Sequence, residues 1–270
     1  MNKKVLLIFT IVMALVFIGP MLFTIISSLK ENREIFSSPF SLPEVFKFEN
    51  YVFAWKEANM GRYILNSIII SSSTVIVAAL VGSMASFVIA RFNFKINKYL
   101  LLFFLLGMMI PMHSVLVPVA YVIGVLGLKN NLVALVLIYV AFLLPFTIIV
   151  LTRFMKSVSP SLEEAAIMDG ASYFQVYYKI MLPMTVPAIS TVSIFNFLAS
   201  WNDILFPLMF INDDRLKPVA LGLLNFSGER ASEYGPLMAA ITIVILIPLI
   251  VYLLFQEKVE SGLAAGSVKG

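Results

Sequence analysis

Six stretches of this chain each run for more than twenty residues without a lysine, arginine, aspartate or glutamate: 5–29, 63–90, 99–128, 130–152, 180–202 and 234–256. As a helix, about twenty apolar residues cross the roughly 30 Å hydrocarbon core of a bilayer. The stretches are too long for the strands of an outer-membrane barrel, and they lack the apolar–polar alternation of such strands. In lipid a segment must satisfy its own backbone hydrogen bonds, so helices remain. Composition agrees: 60% of the residues are hydrophobic and 13% charged, against roughly 25% charged in an ordinary soluble domain. The sequence predicts an all-α integral membrane protein and excludes a soluble enzyme. It holds no cysteine and one histidine, His113, so disulfides, thiolate chemistry and a histidine metal cluster are excluded. A net charge of +4 gives no reason to expect a nucleic-acid partner.

Six transmembrane helices are expected at about 5–29, 64–90, 99–123, 132–152, 184–211 and 235–256, in one membrane domain over 1–270. Lys3 and Lys4 resemble the start of a signal peptide. However, the apolar run exceeds the roughly 7–15 residues of such a peptide and meets no A-x-A site, so it reads as a retained span. Six spans put both termini on one side. With the termini inside, the inner segments hold ten lysines and arginines and the outer ones nine. The acid-free loop RFNFKINK, with Arg91, Lys95 and Lys98, tips this near-tie toward cytoplasmic termini. Pro20, Pro111, Pro118, Pro145, Pro187, Pro207 and Pro248 lie in or near the spans. Each frees a carbonyl and bends the axis, which suits a pathway, although proline is common in membrane helices. Ala78, Gly82 and Ser86 form a small-residue stripe that lets two helices come close, within the subunit or against a partner.

The loop 153–183 between the fourth and fifth helices carries SPSLEEAAIMDGASYFQVYYKIMLPMTVPAI. Ser161 and Glu164 have the spacing of a capping box behind Pro160. Leu162, Ala166 and Gly170 then share a narrow, small face that another surface can approach. Gly170 weakens or ends this short helix, and Pro183 and Pro187 mark the return to the membrane. Together these signals describe a docking element. No nucleophile–base pair, phosphate loop or metal-ligand set accompanies it, so no catalytic or metal residue is expected.

Glu164-Ala165-Ala166, Gly170, Ile180, Leu182 and Pro183 resemble the EAA---G---------I-LP signature of the membrane subunits of binding-protein-dependent ABC importers, with every fixed position at the right spacing. Residues 28–67, WNDILFPL at 201–208 and GLAAGSVKG at 262–270 look like the carbohydrate-uptake branch, similar to its maltose-type second permease. Asp203 stands where relatives often have Glu. The resemblance implies a multi-pass subunit of a bacterial or archaeal cytoplasmic membrane. It would pair as a heterodimer with a second, homologous permease. Two cytoplasmic ATPase subunits and an extracytoplasmic solute-binding protein would complete the machine, and a sugar would be the substrate. It further implies that the EAA loop is the coupling helix seated in the ATPase, with Glu164, Ala165, Ala166, Asp169, Gly170, Ile180, Leu182 and Pro183 as coupling residues. No cofactor is expected on this chain, since ATP and magnesium would be used by the partner ATPase.

Trp201, Asn202 and Asp203 are candidates for the substrate path. Asp203 is the one acid within a predicted span, and such residues are functional candidates. Trp and Asn can stack on and hydrogen-bond a sugar. The other reading is an interfacial Trp with Asp203 snorkelling to water. His113, between Pro111 and Pro118, reads as hydrogen-bonded in a kink rather than as a proton relay. The mixed-charge loop 212–233 suits the binding protein or plain solvent. The tail after Glu260 reads as small and flexible. Three alternatives compete with a sugar importer. An ABC permease for a non-sugar solute stays closest. A self-contained secondary transporter would leave the EAA loop unexplained, and an intramembrane enzyme would need a dyad or metal ligands that the spans lack.

Overall fold

Long apolar runs without interruption become long helices, and the runs that contain a badly placed proline break. In a computed structural model, which describes residues 3–227 and 233–267, the helices are α1 Lys3–Ser27, α2 Asn32–Ser37, α3 Glu49–Lys56, α4 Met60–Arg91, α5 Asn97–Met109, α6 Leu116–Val125 and α7 Leu132–Ser157. They continue with α8 Ser161–Met168, α9 Tyr173–Val176, α10 Leu182–Met184, α11 Val186–Asn202, α12 Leu205–Phe210, α13 Val219–Ser227 and α14 Tyr234–Ser267. No strand occurs among the described residues. Helices α1, α4, α7 and α14 are each long and apolar enough to cross a membrane. Two further helix pairs, each bent at a short break, are apolar enough to make six spans if each pair counts as one.

Two of the expected spans are broken in the way their prolines suggest. Residues 99–123 split into α5 and α6, with an 87° bend between them. Pro111 has no N–H to continue the helix, and it biases the preceding residue toward extended backbone; Ile110 has ψ 115°. Residues 184–211 do not form one helix either. The chain bends by 71° where α11 begins, and it breaks again at Asp203, whose ψ is 135°. Pro207 cannot donate to the Asp203 carbonyl four residues earlier, so an unbroken helix here would lack that bond. Pro20, Pro145 and Pro248 instead sit inside continuous helices. The tail after Glu260, expected to be flexible, is helical through Ser267. Lys269 and Gly270 lie outside the described residues.

The chain divides into two compact units, each built from two segments. Unit 1 takes Met1–Leu65 and Pro218–Leu249. Its polar centre is Lys30, fully buried, whose amine donates to Ser38 O at 2.7 Å and Ser41 Oγ at 3.2 Å. Asn50 donates to the carbonyls of Ser28 and Lys30. At Gly235 a Cβ would lie 2.9 Å from Lys30 O, so the absence of a side chain lets α14 approach this knot.

Unit 2 takes Asn66–Lys217 and Ile250–Gly270, and α7 is its hub. Asn131 caps α7 by accepting from Val133 N, which satisfies one of the free first-turn donors. The small-residue stripe of α4 packs on α7. A Cβ at Gly82 would lie 2.6 Å from Thr147 Cγ2, and Ser86 Oγ donates to Ile148 O at 3.1 Å. The stripe therefore serves packing within the subunit. Leu151 of α7 forms a buried cluster with Ala188 and Val192 of α11, and Asn196 Nδ2 donates to Thr147 Oγ1.

Candidate functional site

The loop between α7 and α10 is built from two short capped helices. Pro160 takes the N-cap position of α8, and its carbonyl accepts from the N–H groups of both Glu163 and Glu164. This displaces the expected capping box. Ser161 falls one position inside the helix, and its Oγ pairs with Ser159 Oγ at 2.8 Å instead. A capping box forms at the next helix, where Ser172 and Gln175 bond reciprocally at the start of α9. Two acids in the first turn of α8 complement the positive end of the helix dipole. At its other end Gly170 N–H bonds Ile167 O and Ala171 N–H bonds Ala166 O. This is the Schellman pattern, which needs a left-handed residue, and Gly170 supplies it with φ 86°.

Helix α8 presents two different faces. Glu164, Ala165, Asp169 and Gly170 are exposed, as are Leu162, Ile167 and Met168. Ala166 turns inward and packs on a cluster of Phe87, Met155, Val176, Tyr177 and Met181. The expected narrow face of Leu162, Ala166 and Gly170 is therefore split, because its middle member is covered by the chain's own core. Ile180 belongs to a π-helical turn, Tyr177–Met181. Leu182 packs against the same cluster, and Pro183 is exposed.

Beside Glu164 the sequence gives no reason to single out Glu163, yet Glu163 is the buried acid of α8. It forms an ion pair with Arg91, the last residue of α4, and both side chains are only 10% exposed. Arg91 Nη2 also donates to Val158 O at 3.0 Å and contacts Met181 Sδ at 3.6 Å. The one hint in sequence was the basic loop 91–98, which speaks only to sidedness.

A second polar constellation lies at the break between α11 and α12. Asp203 is buried and accepts from three donors. Tyr139 Oη of α7 donates to Oδ2 at 2.8 Å, the Phe206 N–H donates to Oδ2 at 3.2 Å, and His113 Nε2 lies 2.8 Å from Oδ1. A buried carboxylate costs a great deal unless it is hydrogen-bonded, and these donors provide that. Asp203 thus does not snorkel to water. His113 is bonded beside its kink, and its ring packs near Phe206. Trp201 is 2% exposed, with its ring stacked on Phe197 at 5.4 Å, so it offers no face for stacking on a solute. Asn202 is exposed.

The loop after α12 is ordered from within. Asn130 Oδ1 accepts from Asn212 N and Asp213 N, while Asn66 Nδ2 donates to the carbonyls of Arg215 and Lys217. Asp213 pairs with Arg215 and, through hydrogen bonding and charge, raises the already high pKa of its guanidinium. Asp214 pairs with Lys217. Glu229 and Arg230 lie outside the described residues.

Residues 78–264 match the family described as the binding-protein-dependent transport system inner membrane component. The chain belongs to this family. Arg91, His113, Tyr139, Glu163 and Asp203 all fall within the matched region. The chain is 37% identical to the diacetylchitobiose uptake system permease of Streptomyces coelicolor over 261 residues, which is 96% of this chain and 86% of that one. It is 33% identical to the trehalose/maltose transport system permease of Thermococcus litoralis, covering 99% and 98% of the two chains. It is 32% identical to a multiple sugar-binding transport system permease of Streptococcus mutans, covering 93% and 91%. Among solved structures, a bacterial ABC transporter that imports the acidic polysaccharide alginate shares the fold. The TM-score is 0.81 at 20% identity, over 94% of this chain and 95% of that one. The same class of transporter in complex with an alginate pentasaccharide-bound periplasmic protein gives a TM-score of 0.69 at 17% identity. This member of the family is accordingly an all-α, multi-pass permease of the ABC importer class.

Proposed function

We propose that this permease forms half of the translocation pathway of an ATP-driven importer for a sugar or oligosaccharide. It works beside a second, related permease as a heterodimer. A solute-binding protein outside delivers the sugar, and two ATPase subunits inside supply the drive. Both termini and α8 face the cytoplasm. The chain itself is not an enzyme and binds no cofactor, since ATP and magnesium act in the ATPase. The observation that carries this reading is the two-faced α8. Its exposed side bears Glu164, Ala165 and the chain reversal at Gly170, and its other side is fixed to the permease through Glu163 and Ala166. Such an element can receive a push from a partner and pass it on. The sugar assignment is supported by the diacetylchitobiose, trehalose/maltose and multiple-sugar permeases it resembles. Of the path candidates, Asn202 keeps that role, while Asp203 holds the α11–α12 break and Trp201 is buried against Phe197.

The test is to purify the tagged protein in mild detergent and identify what comes with it. A second permease, an ATPase and a solute-binding protein are expected, and the binding protein then identifies the sugar. Recovery of the chain alone, with solute transport in ATP-free liposomes, would overturn the importer reading. Within the complex, Glu164→Lys and Gly170→Val are expected to abolish ATP-dependent uptake while membrane insertion stays intact. Gly170 holds φ 86°, a conformation strained for any side chain, so Gly170→Val also disturbs the end of α8 and Glu164→Lys is the cleaner variant. Normal uptake in both variants would remove the coupling role from α8.

A further inference from the structure

Arg91 ends α4 beside the α8 loop. Its guanidinium reaches this loop at several separate points. It meets the carbonyl of Val158, the residue that ends α7, the Glu163 carboxylate of α8, and the Met181 sulfur in the π-helical turn before α10. Both charges of the pair are almost fully enclosed. An enclosed charge that loses its partner is strongly unfavourable, so the two side chains stay together when either helix is displaced. A guanidinium also offers donors in a rigid fork, which is why one side chain can hold three elements in a fixed arrangement.

We propose that Arg91 and Glu163 are positioning residues that make α8 and the end of α4 move as one body. Displacement of the loop thereby reaches the transmembrane helix through this pair. Glu164 meets the partner, and Glu163 faces the permease. The inference rests on the coupling reading above and adds to it the route inside this chain.

The absence of cysteine makes the test direct. Spin labels are placed through V88C on α4 and M168C on α8; both native side chains are exposed. In the full chain in lipid nanodiscs, the label-to-label distance distribution is expected to be narrow. It broadens in Arg91→Ala and in the near-isosteric Glu163→Gln, and narrows again in the exchanged pair R91E with E163R. A distribution in Arg91→Ala and Glu163→Gln as narrow as in the unaltered chain would overturn the clamp. In the complex with its ATPase, each label is then read alone with and without MgATP plus vanadate. Both Met168 and Val88 sites are expected to respond in the unaltered protein, and Arg91→Ala loses the response at Val88 while keeping it at Met168. A merely structural role would not separate the two. If Met168 responds and Val88 responds equally in Arg91→Ala, the transmission role fails and the coupling reading stands. If Met168 fails to respond in the unaltered complex, the coupling reading fails and takes the transmission role with it.

Discussion

Asp203 shows what one buried charge asks of its neighbours. Its carboxylate takes protons in hydrogen bonds from Tyr139, His113 and the Phe206 amide. A hydrogen bond to a charged group contributes about 1.5–3 kcal/mol. Asp203→Ala removes the acceptor and strands a buried phenol, so a loss of about 3 kcal/mol or more is expected. Asp203→Asn keeps an acceptor and falls between Ala and the native residue, and Tyr139→Phe costs about 1 kcal/mol. The order of Tm values in a mild detergent checks this; equal Tm for Asp203→Ala and the native protein would contradict it. Asp203 stood out in the sequence because it is an acid in an apolar run. His113 stood out as well, but its pairing with Asp203 did not, and Tyr139 went unmarked, since they lie 90 and 64 residues away along the chain. A comparable separation along the chain hid Arg91 from Glu163. In the sequence, Glu163 and Glu164 are equivalent neighbours; only the direction in which α8 sits makes one an anchor and leaves the other exposed.

At the scale of the element, the long helices were legible because an uncharged run has one stable form in lipid. Their breaks were less so. Prolines occur both at Pro111, where the chain turns, and at Pro145, where α7 continues. Composition does not distinguish them, because the outcome depends on what packs beside the freed carbonyl. The stripe on α4 gave a contact without a partner, and α7 turned out to be that partner. Its steric demand is sharp at Gly82. A Cβ there would meet Thr147 Cγ2 at 2.6 Å, which neither helix can absorb without moving. Gly82→Val is expected to cost about 1–3 kcal/mol through overpacking. Gly19→Ala, with nothing within 4 Å, should be neutral or slightly stabilising. A matched pair of melting curves decides it: an unchanged Tm for Gly82→Val would show that α4 and α7 are not in this contact.

For the molecule as a whole, charge was a weak guide to sidedness, since basic residues divide almost evenly between the two sides. The proposed arrangement makes a clear prediction. Phe40 lies in the long segment between α2 and α3 and Met168 at the end of α8, and both are highly exposed. On intact protoplasts a membrane-impermeant maleimide should label F40C at once, and M168C only after the membrane is opened. The reverse pattern would invert the topology and remove α8 from the cytoplasm. The family was legible from the EAA spacing because that motif keeps its order along the chain. The polar clusters were not, because each is assembled from helices far apart in sequence.

The order of the Asp203 partners along the chain also bears on how the protein is made. Synthesis delivers His113 first, then Tyr139, and Asp203 last. An unpaired aspartate in a membrane span is costly, up to about 2.5–3.5 kcal/mol at the bilayer centre. Here both side-chain donors have already been delivered when the acid emerges from the ribosome. A chain that loses both donors would therefore falter during biogenesis, when its fifth span is handed to the membrane, before any fault in the finished transporter could be measured.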